Sequence, residues 1–318
     1  MRTERKSDYT AYEETERENA FKARSPQGER ATGLVLKNYS GYYYVQVDGT
    51  FLVECRIRGK LKETLLTGDW VEITLLKNQH GVIEKRLPRK NQLERPRIAN
   101  SSLVVIVLAK NQPRPDLMMV DRLLLLVRHS GLKPCIVLNK SDLPDSDSAS
   151  LIRSYYSRCG VRVICTSTTE QQGIEELREM IRGEIAVLAG PSGVGKTSLL
   201  NRLLPDKEER TQSVSAKIGR GRHTTRHVEL YPLPSGGWLA DTPGFSVMDL
   251  PEMPREELRQ YYPDFAEYQM GCRFGNCLHY KEKECAVLEA LHEGKILKER
   301  HQNYVLMLEE VMEKERNY

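Results

Sequence analysis

The chain has 318 residues, 29% of them charged, with a formal net charge of +4, so it is long enough for two or three ordinary domains and mildly basic. That balance permits nucleic-acid binding without requiring it. No apolar run approaches the length of a membrane span, and the opening Met1-Arg-Thr-Glu-Arg-Lys-Ser-Asp8 lacks a signal-peptide core; a cytosolic protein is expected, whose seven cysteines stay reduced and, where clustered, favour metal over disulfides.

Residues 1–30 mix both signs of charge with few aliphatics and read as a flexible or partly helical tail. From Ala31 short alternating runs follow, at residues 31–36, 42–47, 52–58, 70–75 and 81–84, separated by glycine and Asp-Gly turns. Five such runs predict a small closed β-barrel of the oligonucleotide-binding type over 31–95. Period two puts Tyr43, Val45 and Val47 on one face of the second strand and Tyr42, Tyr44 and Gln46 on the other. With Arg56, Arg58, Lys60 and Lys62, the outer face is either an RNA-binding surface or a solvated basic one. The polar segment Pro88 to Pro96 marks a domain junction.

Beyond it strands and helices alternate, as in a parallel α/β sheet. Strands are predicted over 102–109, 134–138, 161–165 and 184–189, and helices over 118–129, 152–159 and 173–181. The last of these strands runs into Gly190-Pro-Ser-Gly-Val-Gly-Lys-Thr197, followed by the helical Ser198 to Leu204. Strand, Gly-x-x-x-x-Gly-Lys-Thr and helix are the parts of a phosphate-binding loop. The backbone of Gly190, Ser192, Gly193, Val194, Gly195 and Ser198 would cradle phosphates at a helix N-terminus. Lys196 reaches the β and γ phosphates, and the Thr197 hydroxyl can ligate magnesium.

Asn139-Lys-Ser-Asp142, directly after the second α/β strand, resembles the Asn-Lys-x-Asp element of GTPases. An ionised Asp142 can accept from the guanine N1–H and exocyclic amine. Asn139 can reach the N7 and O6 edge, and the Lys140 stem can lie along the base. Ser167 stands where GTPases carry a Ser-Ala-Lys-like element whose backbone meets O6. Gly219-Arg-Gly-Arg-His-Thr-Thr225 resembles switch I, in which Thr224 or Thr225 completes the magnesium shell. Asp241-Thr-Pro-Gly244 resembles switch II, with Asp241 holding magnesium through water and the Gly244 amide facing the γ-phosphate. In ordinary GTPases the phosphate loop comes first; here Asn139 to Ser167 precede it, a circular permutation over 96–250 that leaves everything after Gly244 tethered to switch II.

The C-terminal 251–318 contains Cys272, Cys277, His279 and Cys285, a Cys-x4-Cys-x-His-x5-Cys set sufficient for one closed structural zinc site holding together a small α-helical fold without a core of its own. Helices are predicted over 286–292 and 296–315. Lys295, Lys298, Arg300 and His301 would give a further basic surface or a solvated helix face.

Barrel, permuted GTPase and Cys3His set together resemble the bacterial ribosome small-subunit-dependent GTPase A (RsgA) family, over nearly everything after the tail. The resemblance implies a multidomain GTPase using GTP, GDP and Mg2+ that docks as a monomer on the 30S subunit and its 16S rRNA late in maturation, is stimulated by it, and leaves after hydrolysis. It implies barrel and zinc region as RNA contacts. Phe245 follows Gly244 where Ras-like proteins have the water-orienting glutamine. The resemblance implies His223 as the substitute, acting with Lys196 and Thr225, and a histidine can position or deprotonate water; an RNA contact is the other reading of His223. Gly193 occupies the position where potassium-activated GTPases usually have asparagine, so the sequence does not predict potassium activation. The absence of glutamine also keeps open a nucleotide-gated RNA-binding checkpoint in which hydrolysis is incidental.

Overall fold

A computed structural model describes residues 28–49, 51–59, 64–94, 96–204, 228–241 and 249–316. The described chain divides into two compact units, one of residues up to Ser101 together with 228–231 and the other of the remaining residues from Ser102.

In the first unit the alternating runs become β1 (Arg30–Tyr39), β2 (Tyr42–Val47), β3 (Phe51–Ile57), β4 (Trp70–Leu75) and β5 (His80–Arg86). They close into a barrel of order β1-β2-β3-β5-β4, with β1 pairing β4 and a parallel β3–β5 contact. That is the small closed barrel the five alternating runs predict, in the five-stranded order of oligonucleotide-binding folds. Val45, Val47, Val53, Ile73 and Ile83 fill its interior. Among the described residues the outer face is mixed in charge. Arg58 is paired with Glu84 at 2.6 Å, His80 lies 3.5 Å from Glu54, and Tyr44, largely buried, donates to Glu54 at 3.1 Å. Carboxylates on alternate positions thus offset the cations, and Lys60 and Lys62 lie outside the described residues. Arg56 remains exposed, stacked over the Tyr42 ring at 4.6 Å.

The junction at 88–96 is more ordered than its prolines suggest. It contains β6 (Gln92–Glu94), which pairs antiparallel with β7 (Arg97–Ala99) just beyond it. Arg89 forks onto the fully buried Asp69 carboxylate at 2.6 and 2.8 Å, which fastens the hairpin to the barrel.

In the second unit β8 (Leu103–Ala109), β9 (Lys133–Asn139), β10 (Arg162–Cys165), β11 (Ile185–Ala189) and β13 (Trp238–Asp241) form a sheet of order β10-β9-β8-β11-β13, and the short β12 (Glu229–Pro232) belongs mostly to the first unit. The pairs β8–β9, β9–β10, β8–β11 and β11–β13 are parallel. Every residue of β8 and β11 is buried, as expected of strands covered on both faces. Helices α1 (Leu117–His129), α2 (Asp147–Tyr155), α3 (Ile174–Ile181) and α4 (Lys196–Leu203) make the connections. Asp116 caps α1 by accepting from the Met118 amide at 2.9 Å, and Ser146 caps α2. The helix expected at 152–159 therefore starts earlier, at the Ser146 cap, and ends in a 3-10 turn at Gly160. Progression from β8 to β9 to β10 runs one way across the sheet. The next strand, β11, returns to the other side of β8, so the order reverses between β8 and β11, where open α/β sheets bind ligands.

The C-terminal region adds α5 (Pro263–Gln269), α6 (Ala286–His292) and α7 (Lys298–Arg316). It has a core, contrary to expectation: Tyr262, Phe265 and Tyr304 pack edge-to-face or tilted with ring centroids 4.9–5.2 Å apart among Leu258, Met307 and Leu308. Nor do Arg300 and His301 form a basic surface, because both are buried. Arg300, 1% exposed, donates to Asp121 of α1 at 2.6 Å and to Asp264 of α5 twice at 3.1 Å. Tyr156 and Asn303 add bonds to Asp121 at 2.8 and 2.7 Å, and the guanidinium lies 4.2 Å from the Tyr262 ring centroid. Two acids, one base and these five hydrogen bonds to the acids join α1, α5 and α7.

Candidate functional site: the nucleotide loops and the Cys3His cluster

The β9 and β11 ends lie on the same sheet edge, on either side of β8, and each runs into one of the two motif loops. Gly190 leaves β11 with φ +127°, where a Cβ would stand 2.1 Å from the Val107 carbonyl oxygen. Gly195 has φ +94°, and a Cβ there would stand 2.4 Å from Asn139 Nδ2. Side chains are excluded at both positions because the loop backbone is drawn against β8 and against the Asn-Lys-Ser-Asp loop. The helix starts at Lys196, two residues earlier than expected. Lys196 Nζ donates to the Gly190 and Pro191 carbonyls at 2.8 and 2.6 Å, and burial lowers its pKa from the ordinary lysine value. Ser192, Gly193, Thr197 and Ser198 are exposed on the loop and first helical turn, while Val194 is buried.

Two side chains join the loops. Asn139, almost fully buried, donates from Nδ2 to the Val194 carbonyl at 2.9 Å and accepts at Oδ1 from Thr166 at 3.0 Å. Lys140, at φ +58°, donates to the Gly193 and Gln112 carbonyls at 2.8 and 2.7 Å. The carboxamide of Asn139 is thus turned to the protein as a brace, a role its motif position did not reveal. Asp142 accepts from Ser167 Oγ at 2.7 Å. That bond, with the Asp142 amide, holds its carboxyl below the usual carboxylate range, keeping it an anion and an acceptor. The Ser167 hydroxyl also contacts Thr169 and accepts from the Glu170 amide, so the serine orders the turn that carries it. Asp241 ends β13; its side chain, and all of His223, Thr224, Thr225, Gly244 and Phe245, lie outside the described residues.

The second cluster lies in the C-terminal region. Ligand atoms of Cys272, Cys277, His279 and Cys285 all fall within 4.8 Å of one another. Cys272 and Cys285 sulfurs are 3.8 Å apart, and His279 Nδ1 is 3.6 and 3.4 Å from them. A tetrahedral ion with bonds of about 2.3 Å to sulfur and about 2.0 Å to nitrogen requires edges of roughly 3.8 and 3.5 Å. The donor set therefore fits zinc. Burial, reinforced by the Arg259 charge, pushes His279 down to about 4, so the ring is neutral as a ligand must be. Burial with the neighbouring thiols pushes Cys285 up to about 12, the behaviour of thiols that ionise only when a cation replaces the proton. The Glu282 carboxylate collects the Leu278 and Tyr280 amides at 2.7 and 2.8 Å and shapes the intervening turn.

A sheet edge where a guanine-type loop is braced against a phosphate loop that follows it in the chain defines a circularly permuted P-loop GTPase fold. Residues 86–251 match the RsgA GTPase family and residues 32–83 the RsgA N-terminal domain. A relative from Carboxydothermus hydrogenoformans, named small ribosomal subunit biogenesis GTPase RsgA, is 47% identical over 289 residues, covering 90% of this chain and 99% of its own length. One of the same name from Moorella thermoacetica is 46% identical with the same coverage. The crystal structure of YjeQ from Thermotoga maritima superposes with a TM-score of 0.76 at 34% identity, over 89% of this chain and 99% of that one. That of YloQ, described as a circularly permuted GTPase, gives 0.75 at 33% identity over 90% and 96%. The chain belongs to the RsgA GTPase family and is a GTP hydrolase.

Proposed function

We propose that this GTPase binds the 30S ribosomal subunit through 16S rRNA, and that hydrolysis stimulated by the subunit times a late maturation step and the protein's own release. The observation that carries the reading is the Asn139–Val194 and Lys140–Gly193 pair of bonds, which makes base and phosphate recognition one structure, in a chain whose relatives are named for small-subunit biogenesis. Asp142 accepts from the guanine N1–H and amine, Ser167 supplies its turn's backbone to O6, and Asn139 and Lys140 hold the base loop to the phosphate loop. Gly190, Ser192 to Gly195 and Ser198 cradle the phosphates. Lys196 exchanges its two carbonyl partners for phosphate oxygens, Thr197 ligates Mg2+, and Asp241 and Gly244 follow the γ-phosphate. His223 positions or deprotonates the attacking water, and Thr225 completes the magnesium shell.

The tail (1–30), barrel (31–95), nucleotide domain (96–250) and zinc region (251–318) serve as the parts of a cytoplasmic monomer. No described helix is long and apolar enough to cross a membrane.

GTP turnover with and without purified 30S subunits tests the reading: many-fold stimulation is expected. Co-sedimentation that depends on nucleotide, with turnover unmoved by 30S, would instead favour the checkpoint in which hydrolysis is incidental. His223→Ala should lower stimulated turnover and leave GTP affinity intact, and a parallel loss of affinity would place the histidine elsewhere. Cys272, Cys277, His279 and Cys285 hold one structural zinc. Metal analysis should return one equivalent per chain, and less than about half an equivalent rejects the assignment.

A further inference from the structure

Asp142 can discriminate guanine only if its carboxylate is ionised and aimed, and the peptide that carries it is held from behind by a residue outside every motif. Lys110, at the C-terminal end of β8, directs Nζ to the Ser141 carbonyl oxygen at 3.1 Å. The other end of that same peptide carries Asp142, whose carboxyl is held below its ordinary range first by the Ser167 hydroxyl at 2.7 Å and also by the nearby Lys110 charge. A cation bonded to that carbonyl fixes the plane of the peptide that carries Asp142 and, by its charge, favours the ionised carboxylate. Lys110 is itself fixed at both backbone ends: its amide donates to Asn139 O at 2.8 Å, and its carbonyl accepts from Ser146 Oγ at 2.7 Å. The Asp145 carboxylate, 3.3 Å from Nζ, is shared with Arg153 at 2.6 Å, so it does not neutralise Lys110 alone. The Lys110 side chain is 16% exposed, which limits screening by water.

We propose that Lys110 is a positioning residue for guanine specificity, acting through the Ser141–Asp142 peptide to hold the Asp142 carboxylate toward the N1–H and 2-amino group of the base. This rests on the assignment of Asp142 as the base reader. A contribution confined to Asp142 shows in the preference for GDP over inosine diphosphate, which lacks the 2-amino group and so engages one carboxylate oxygen fewer.

The test uses the full chain and three probes, GDP, inosine diphosphate and xanthosine diphosphate, titrated against wild type, Lys110→Met and Lys110→Arg. Lys110→Met is expected to weaken GDP about tenfold or more, the size of one charge-assisted hydrogen bond, and to weaken inosine diphosphate less, narrowing the ratio. Lys110→Arg should restore most of that ratio. Equal loss for both nucleotides, or no loss, overturns the proposal. If the methionine variant does not fold, Lys110→Gln keeps a neutral donor and should narrow the ratio by less; an unchanged ratio there overturns the proposal as well. Asp142→Asn separates the two levels: a shift of preference toward xanthosine diphosphate upholds the base reader, whatever Lys110 does, and no shift removes the reading on which the proposal rests.

Discussion

Gly195→Ala should cost nucleotide affinity about 10²-fold or more. Two effects add: an L residue at positive φ costs roughly 1–2 kcal/mol, and displacing a buried amide from its partners about 1–3 kcal/mol more. The second arises because the new Cβ would stand 2.4 Å from Asn139 Nδ2, the atom that holds Val194. Gly193→Ala is the contrast. Its φ is also positive, at +79°, but the nearest atom to a Cβ is Pro113 Cδ at 3.9 Å, so only the conformational cost applies. Titration with GDP should rank wild type, Gly193→Ala and Gly195→Ala in that order. Equal losses in the two variants would mean that the Asn139 joint contributes nothing beyond loop conformation.

Arg300→Met should destabilise the second unit by about 3–5 kcal/mol, the usual consequence of leaving buried charge unpaired. Removing the guanidinium leaves Asp121 and Asp264 buried without a cation. Asp121→Asn should cost less. Burial outweighs the attraction of Arg300 and the hydrogen bonds of Asn303 and Tyr156, holding the Asp121 carboxyl above its ordinary range, so its charge is carried at a cost already. A carboxyl whose folded pKa is raised stabilises the fold more as pH falls, because the folded state binds the proton more tightly. The Arg300→Met deficit should therefore shrink on acidification. Urea unfolding at neutral and mildly acid pH measures both effects. A loss below about 1 kcal/mol would mean that the pair behaves like an exposed one.

These two sites differ in how much of them is visible in the sequence. The phosphate loop and Asn139 to Asp142 are contiguous, and each lies next to a strand whose apolar run is unmistakable, so their meeting at one sheet edge follows from topology. The brace made by Asn139 is hidden because a motif letter does not say which way its amide turns. The Arg300 network was not legible for a different reason. Arg300 stands among Lys295, Lys298 and Glu299, which read as a solvated helix, and its partners are 36 and 179 residues away. One signal was available: Asp121 interrupts Met118 to Leu126, an otherwise apolar helix face with Arg122 as its only other charge. Helix α5 also left a trace in Pro263 at its first turn, after Tyr262. Strand β12 is four residues long and half-exposed, too short for a period to show.

The separation of 179 residues between Asp121 and Arg300 also sets an order of events during synthesis. The barrel strands lie close together in the chain and can pair as soon as they emerge. Helix α1 cannot finish. At roughly 5–20 residues per second its aspartate waits about 10–35 s for its counter-ion. For that interval the half-made nucleotide fold carries an unpaired acid on the face that will later be buried, and a water-facing α1 is the state that suits it. The burial of α1 thus draws on a helix encoded 179 residues downstream, so packing of the sheet is coupled to synthesis of the C-terminal region.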